Sequence, residues 1–118
     1  MKPRPSPDPT AELPLKPVMF HILLTLSSGE RHGYRLVQEI EERTSGQLQL
    51  HAGNLYRTLR TMKERGLIEE SASRPDAAVD DERRRYFRIT DFGKHVAKAE
   101  ATRLQALVAE ARSRSLLT

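Results

Sequence analysis

The stretch GNLYRTLRTMKERGLIEE at 53–70 constrains the fold most, because it joins an amphipathic helix to a strand without a linker. Its apolar residues repeat at helical spacing and predict a buried stripe: Leu55, Tyr56, Leu59 and Met62. Gly66 follows the last turn, at the position where a left-handed residue ends many helices, and the apolar pair after it begins a strand. A chain with this junction needs a helical layer packed directly on a sheet.

The remaining periodicity predicts three more helices and two strands. The helices are expected over 17–26, 31–43 and 90–115, and the strands at 67–71 and 83–90 on either side of a polar loop. A very short strand or extended link is expected at 47–50. Tyr34 is expected in the core. Three helices followed by a hairpin is the order of a winged helix-turn-helix, here mainly α, with a two-stranded β-wing and an additional long C-terminal helix.

Composition limits what such a chain can do. A length of 118 residues fits one folded domain with a modest core, which must be aliphatic because tryptophan is absent and aromatics make up 5%. The absence of cysteine excludes disulfides and thiolate metal sites. We expect a disordered proline-rich leader over 1–13, a winged-helix DNA-binding domain over 14–90 and a dimerisation helix over 91–118. A cytoplasmic protein without a membrane segment is predicted.

The side of the third helix opposite its buried stripe predicts contact with DNA. It carries Asn54, Arg57, Arg60 and Thr61. Arg and Asn pair with guanine and adenine edges in a major groove, and Thr offers a hydroxyl and a methyl group. Further along the helix, Lys63 and Arg65 are positioned to reach phosphates. The alternative is a solvated basic face, but its place as the third helix before a hairpin favours base reading.

Two neighbouring segments are predicted to contact the DNA backbone. The returning strand carries Arg83, Arg84 and Arg85, and the formal net charge of the chain is +4. Because the loop before these arginines is acidic, we expect the base of the wing to approach phosphates; neutralisation of the loop is the alternative. His32 and Gly33 begin the second helix, where free amides could hold a phosphate; an ordinary helix start is the alternative.

Three blocks of the sequence resemble the PadR family of bacterial transcriptional regulators. They are HGYRLVQEI, GNLYRTLRTMKERGLIEE and RRRYFRITDFGKHV, and the resemblance extends from about residue 15 to 112. It implies a homodimeric repressor of the short branch of the family, whose third helix enters the major groove and whose single terminal helix forms the dimer. Met62 and Lys63 stand where a Leu-Glu pair is usual, and the wing is acidic instead of glycine-rich.

The terminal helix also predicts a dimer from its own pattern. Its apolar stripe is too long for so small a domain to cover, and the first helix is expected to supply part of the opposing face. The predicted interface comprises Met19, Phe20, Val96, Ala99, Leu104, Leu107, Val108 and Ala111. A helix that folds back onto its own domain, leaving a monomer, is the alternative. Pairing would require a near-palindromic operator.

Other function classes find less support in the sequence. The four histidines lack metal-ligand spacing, and neither a phosphate-binding loop nor a catalytic set can be identified, so we predict no enzyme activity and no cofactor. A winged helix used only for protein contacts is the strongest rival to double-stranded DNA binding. A small-molecule inducer stays open, because without tryptophan an aromatic ligand would have to use Phe20, Phe87 or Phe92.

Overall fold

The computed structural model describes residues 8–48, 52–71 and 85–118. In chain order the elements are a 3-10 helix at Pro9–Glu12, α1 at Pro17–Leu26, β1 at Arg31–His32, α2 at Gly33–Arg43, α3 at Ala52–Glu64, β2 at Ile68–Glu70, β3 at Tyr86–Ile89 and α4 at Asp91–Ser113. Strand β3 lies between β1 and β2 and runs antiparallel to both. The predicted order of three helices, a hairpin and a long terminal helix is confirmed.

One aliphatic core joins the helices to the sheet. Side chains that are at most 1% exposed are Ile22, Leu23, Leu36, Ile40, Leu55, Leu59, Met62, Leu67 and Val96. Phe87 of β3 is the one aromatic ring among the buried core residues in the described ranges. Each such side chain contributes about 1.5–3 kcal/mol by leaving water, so the core depends on contributions from every helix.

The junction between α3, β2 and α4 is held by backbone geometry and one hydroxyl. Gly66 has a φ of 76°, in the left-handed region, and the Leu67 N–H donates to the Met62 carbonyl over 2.9 Å. The Thr90 hydroxyl donates to the Gly66 carbonyl over 2.6 Å and accepts from the Gly93 N–H over 2.9 Å. One side chain therefore caps α4 and attaches it to the end of α3, and the left-handed Gly66 lies where the sequence predicted the end of α3.

The first part of the chain has more structure than the sequence predicted. The Asp8 side chain caps the 3-10 helix. The Arg65 guanidinium, just beyond α3, donates to the Glu12 carboxylate over 2.6 Å and to the Glu12 carbonyl over 3.3 Å. The prediction of a disordered leader over 1–13 is therefore wrong from Asp8 onward, while residues 1–7 lie outside the described residues.

The sheet contains a third strand that the sequence analysis missed. In β1, Arg31 pairs with Phe87 and His32 pairs with Tyr86. A strand of two residues is too short to show alternation, which explains the omission. The extended link predicted at 47–50 is not a strand in its first two residues, and its last two residues lie outside the described part of the chain.

Helix α4 changes from buried to exposed along its length. Val96 is fully buried, and Glu100 is 2% exposed. In the described range 85–118, no residue after Glu100 is buried, and Leu107 is 55% exposed. The second half of α4 therefore extends beyond the core. No helix in the described part of the chain, α4 included, is long and apolar enough to cross a membrane.

Glu100 ties the segment before α1 to α4. Its Oε2 accepts the Leu15 N–H over 2.9 Å, and the Arg103 guanidinium donates to both carboxylate oxygens. The hydrogen bond from Arg103 lowers the pKa of Glu100 below its ordinary value of 4.5. Burial acts in the opposite direction, while the Leu15 N–H and the charge of Arg103 lower the pKa further. Stability from this carboxylate is therefore present above pH 4.5 and is lost as the pH falls through the lower pKa of the folded state.

We predict that Glu100→Gln lowers the free energy of unfolding at pH 7 by about 1–3 kcal/mol, because a buried charged hydrogen-bond acceptor is lost. Urea denaturation should show this difference shrinking as the pH falls below 4.5, where the parent also loses its carboxylate. The control is Glu110→Gln on the same helix, whose pair with Arg114 is largely exposed and should contribute little. A deficit that does not depend on pH would contradict the assigned role of the charge.

Candidate nucleic-acid interface

Helix α3 presents its predicted reading face to solvent. Leu55 and Leu59 are 1% exposed and fix the rotation of the helix about its axis, so the opposite side faces outward. The exposed polar residues on that side are Asn54, Arg57, Arg60 and Glu64. Within the described residues, neither Arg57 nor Arg60 forms an ion pair or a side-chain hydrogen bond. Their guanidinium donors are therefore available to an external acceptor.

Thr61 is less available than the sequence suggested. It is only partly exposed, and its hydroxyl donates to the Arg57 carbonyl one turn earlier over 3.2 Å. The hydroxyl can still accept a hydrogen bond, and its methyl group remains able to contact a base.

At the start of α2, His32 forms an aromatic cluster. Its Nδ1 accepts the Arg35 N–H over 3.1 Å and caps the helix. The imidazole stacks on Tyr34, with ring centroids 6.4 Å apart, and meets Tyr86 of β3 edge-on at 5.5 Å. Tyr34 is 57% exposed, so its expected burial in the core is wrong. Leu36 and Ile40 set the buried face of α2, and stacking on His32 holds the tyrosine ring outside it.

Gly33 serves the packing of α2 against α3. It is buried, and a Cβ built on it would lie 2.9 Å from the Tyr56 hydroxyl oxygen. The half-buried Tyr56 packs against the core and covers this point of the α2 N-terminus. The absence of a side chain at Gly33 therefore makes room for the tyrosine, which restricts access of a phosphate to this residue.

Beside α3, two basic side chains share one carboxylate. Lys63 Nζ lies 3.5 Å from Glu70 Oε2, and Arg85 Nη1 lies 3.5 Å from Glu70 Oε1. These three residues and Arg60 edge a partly open cavity of about 110 Å³. Its apolar wall consists of Tyr56, Leu59 and Phe87. The predicted wing residues Arg83 and Arg84, like the acidic loop before them, lie outside the described residues.

Arg65 is engaged in an internal contact. Besides its bonds to Glu12, its Nη1 lies 3.4 Å from the Met19 sulfur. A phosphate contact through Nε or Nη2 would require these bonds to Glu12 to open. We therefore leave Arg65 out of the candidate interface.

The predicted dimer residues divide into buried and exposed groups. Met19 and Val96 are 4% and 0% exposed in the core of the single chain, so a partner could not contact them without opening that core. The partly exposed residues are Phe20, Ala99, Leu104 and Ala111, and the exposed ones are Leu107 and Val108. The surface available to a second chain is therefore narrower than predicted.

Two residues near this interface were missed by the sequence analysis. Glu70 stands next to Phe87 in the pairing of β2 with β3, which brings it beside Arg85. An acidic strand opposite a basic one was a usable signal, but the register was not known. The exposure of Tyr34 was missed, although the spacing of the buried Leu36 and Ile40 places this residue on another side of α2. Among the described residues, no group of three or more His, Asp or Glu side chains could hold a metal ion.

Comparison with known proteins agrees with this geometry. The family described as transcriptional regulator PadR-like matches residues 22–99. A relative from Lysinibacillus sphaericus, uncharacterized protein X, is 34% identical over 73 residues that cover 62% of this chain and 64% of the relative. The chain thus spans less than two thirds of that relative's own length.

Solved structures share the fold at low identity. A PadR family transcription regulator from Clostridium difficile superposes with a TM-score of 0.68 and 20% identity, covering 81% of this chain and 95% of that one. A transcriptional regulator from Clostridium thermocellum gives a TM-score of 0.64 and 23% identity, covering 81% and 87%. The winged helix with a long terminal helix is therefore a fold shared with known regulators.

We predict that Gly33→Ala lowers the free energy of unfolding by about 1–3 kcal/mol, because the new methyl group overlaps the Tyr56 phenol. Adding Tyr56→Phe should recover part of the loss by removing the nearest atom. Gly53→Ala is the matched control on α3, where an added Cβ meets nothing within 4 Å. Thermal denaturation measures all three variants, and equal effects of the two alanines would contradict the packing role of Gly33.

Proposed function

Because the chain belongs to the PadR-like family of transcriptional regulators, we propose that it binds specific DNA sequences as a homodimeric repressor. The observation that carries the proposal is the outward face of α3, where Asn54, Arg57 and Arg60 stand away from the buried Leu55, Leu59 and Met62. Arg and Asn forks at this position suit base edges in a major groove. The arginine side chains have no internal partner among the described residues, so a base or phosphate displaces no existing bond.

The proposed dimer uses the second half of α4. Leu107 and Val108 are 55% and 39% exposed, and Leu104 and Ala111 extend the same stripe at helical spacing. Large apolar side chains exposed in a row are characteristic of a surface that a partner covers. A two-fold axis along this stripe would place two copies of α3 about one DNA turn, ~34 Å, apart and would favour a near-palindromic operator.

Selection of binding sites from random DNA with the purified protein tests the DNA-binding function. We predict that Arg57→Ala then costs about 1–3 kcal/mol at the selected site and relaxes the preference at one base position. Arg112→Ala, which removes the same charge from the last turn of α4, should bind like the parent. If the selection enriches no sequence and the protein does not retain random duplex DNA at low salt, the alternative of a protein-interaction module is favoured.

Light scattering at low micromolar concentration tests the dimer. The parent should have twice the mass of one chain, whereas Leu107→Glu plus Val108→Glu should be monomeric and remain folded, because neither side chain belongs to the core. The control is Ala106→Glu plus Ala109→Glu, which adds two charges to the opposite side of the same helix. A monomeric parent, or a Leu107 and Val108 variant that stays dimeric, would overturn this interface.

A further inference from the structure

Glu70 lies between two basic side chains beside α3. One of its oxygens lies 3.5 Å from Lys63 Nζ and the other lies 3.5 Å from Arg85 Nη1. Lys63 comes from α3 and Arg85 immediately precedes β3, so the carboxylate connects the reading helix to the base of the wing. Both cations are about 40% exposed, at 40% and 43%, and they reach solvent at the edge of the cavity described above.

The contacts made by Glu70 are weak ones. Ion pairs of this length between partly exposed side chains contribute little to stability. Glu70 Oε1 is buried, and among the described residues it has no hydrogen-bond partner, because Arg85 lies near enough for attraction but not in hydrogen-bonding geometry. A phosphate group offers more oxygens to the same two cations, and its binding releases counterions from the DNA. The carboxylate is therefore a partner that DNA can displace.

We propose that Lys63 and Arg85 form a DNA-phosphate site, with Arg60 at its rim, and that Glu70 is a built-in competitor for that site. This inference rests on the proposed DNA-binding function. Without DNA, the Glu70 carboxylate pairs with both cations. When DNA binds, a phosphate replaces the carboxylate as their partner, and the carboxylate remains at the cavity edge and repels the phosphate. Glu70 thereby limits affinity for any DNA backbone, and the effect does not depend on the base sequence.

The matched pair Glu70→Gln and Glu69→Gln tests this role. Both remove one negative charge from β2, but Glu69 is exposed and pairs with Arg88 over 2.7 Å instead of with Lys63 or Arg85. Fluorescence anisotropy with the selected duplex and with a random duplex, over a series of salt concentrations, measures both affinity and salt dependence. Thermal denaturation of each variant checks that the fold is retained.

We expect Glu70→Gln to tighten binding to both duplexes by the same factor, about threefold or more at ~0.1 M salt, and to steepen the log–log salt dependence by about one unit. Glu69→Gln should increase the logarithm of the affinity by at most about half as much, since the charge of Glu69 acts on the site only from a distance. In a chain that also carries Lys63→Ala and Arg85→Ala, Glu70→Gln should give no gain in affinity, because the two cations for which Glu70 competes are absent.

Failure of the competitor role of Glu70 and failure of the proposed DNA binding give different results. If the parent binds DNA and Glu70→Gln binds no tighter than Glu69→Gln, the competitor role is overturned and the DNA-binding function stands. Weaker binding by Glu70→Gln would also overturn it, by showing that the carboxylate orients the cations for DNA. If neither the parent nor Glu70→Gln retains DNA, the proposed function fails and the inference fails with it.

Discussion

Burial of aliphatic side chains in one cluster is the interaction on which the rest of this structure depends. The chain has no cysteine and no tryptophan, so packing of residues such as Ile22, Leu36 and Val96 must hold the helices together. The same packing orients the functional surface. Leu55 and Leu59 set the rotation of α3, and truncating either to alanine would cost about 2–5 kcal/mol of stability.

Features encoded by neighbouring residues were predictable from the sequence, whereas features that need distant partners were not. Gly66 acts through its own backbone conformation and was placed correctly, and the helix predicted to begin at 90 is capped by Thr90. The 3-10 helix is an exception, because its Asp8 cap is a local signal that the proline-rich composition of the segment obscured. Of the candidate site, the outward face of α3 followed from helical periodicity, while the position of Glu70 required the strand register.

Formal net charge describes the candidate interface poorly, because its cations differ in what already holds them. Arg57 and Arg60 have no ionic partner among the described residues, Lys63 shares a carboxylate, and Arg65 is fixed to the N-terminal segment. A basic residue that must first leave an internal partner contributes less to binding than one that faces solvent. The number of basic residues in and just after α3 therefore does not tell which of them lack an internal partner, as Arg65 illustrates.

The Thr90 hydroxyl has a mechanical consequence. Because it binds the Gly66 carbonyl and the Gly93 N–H at once, the start of α4 and the end of α3 share one short connection without a flexible segment between them. In the proposed two-fold assembly, a change in the angle between the two α4 helices would also change the orientation of both copies of α3. The distance between the two copies of α3 would then follow the angle at which the two α4 helices cross.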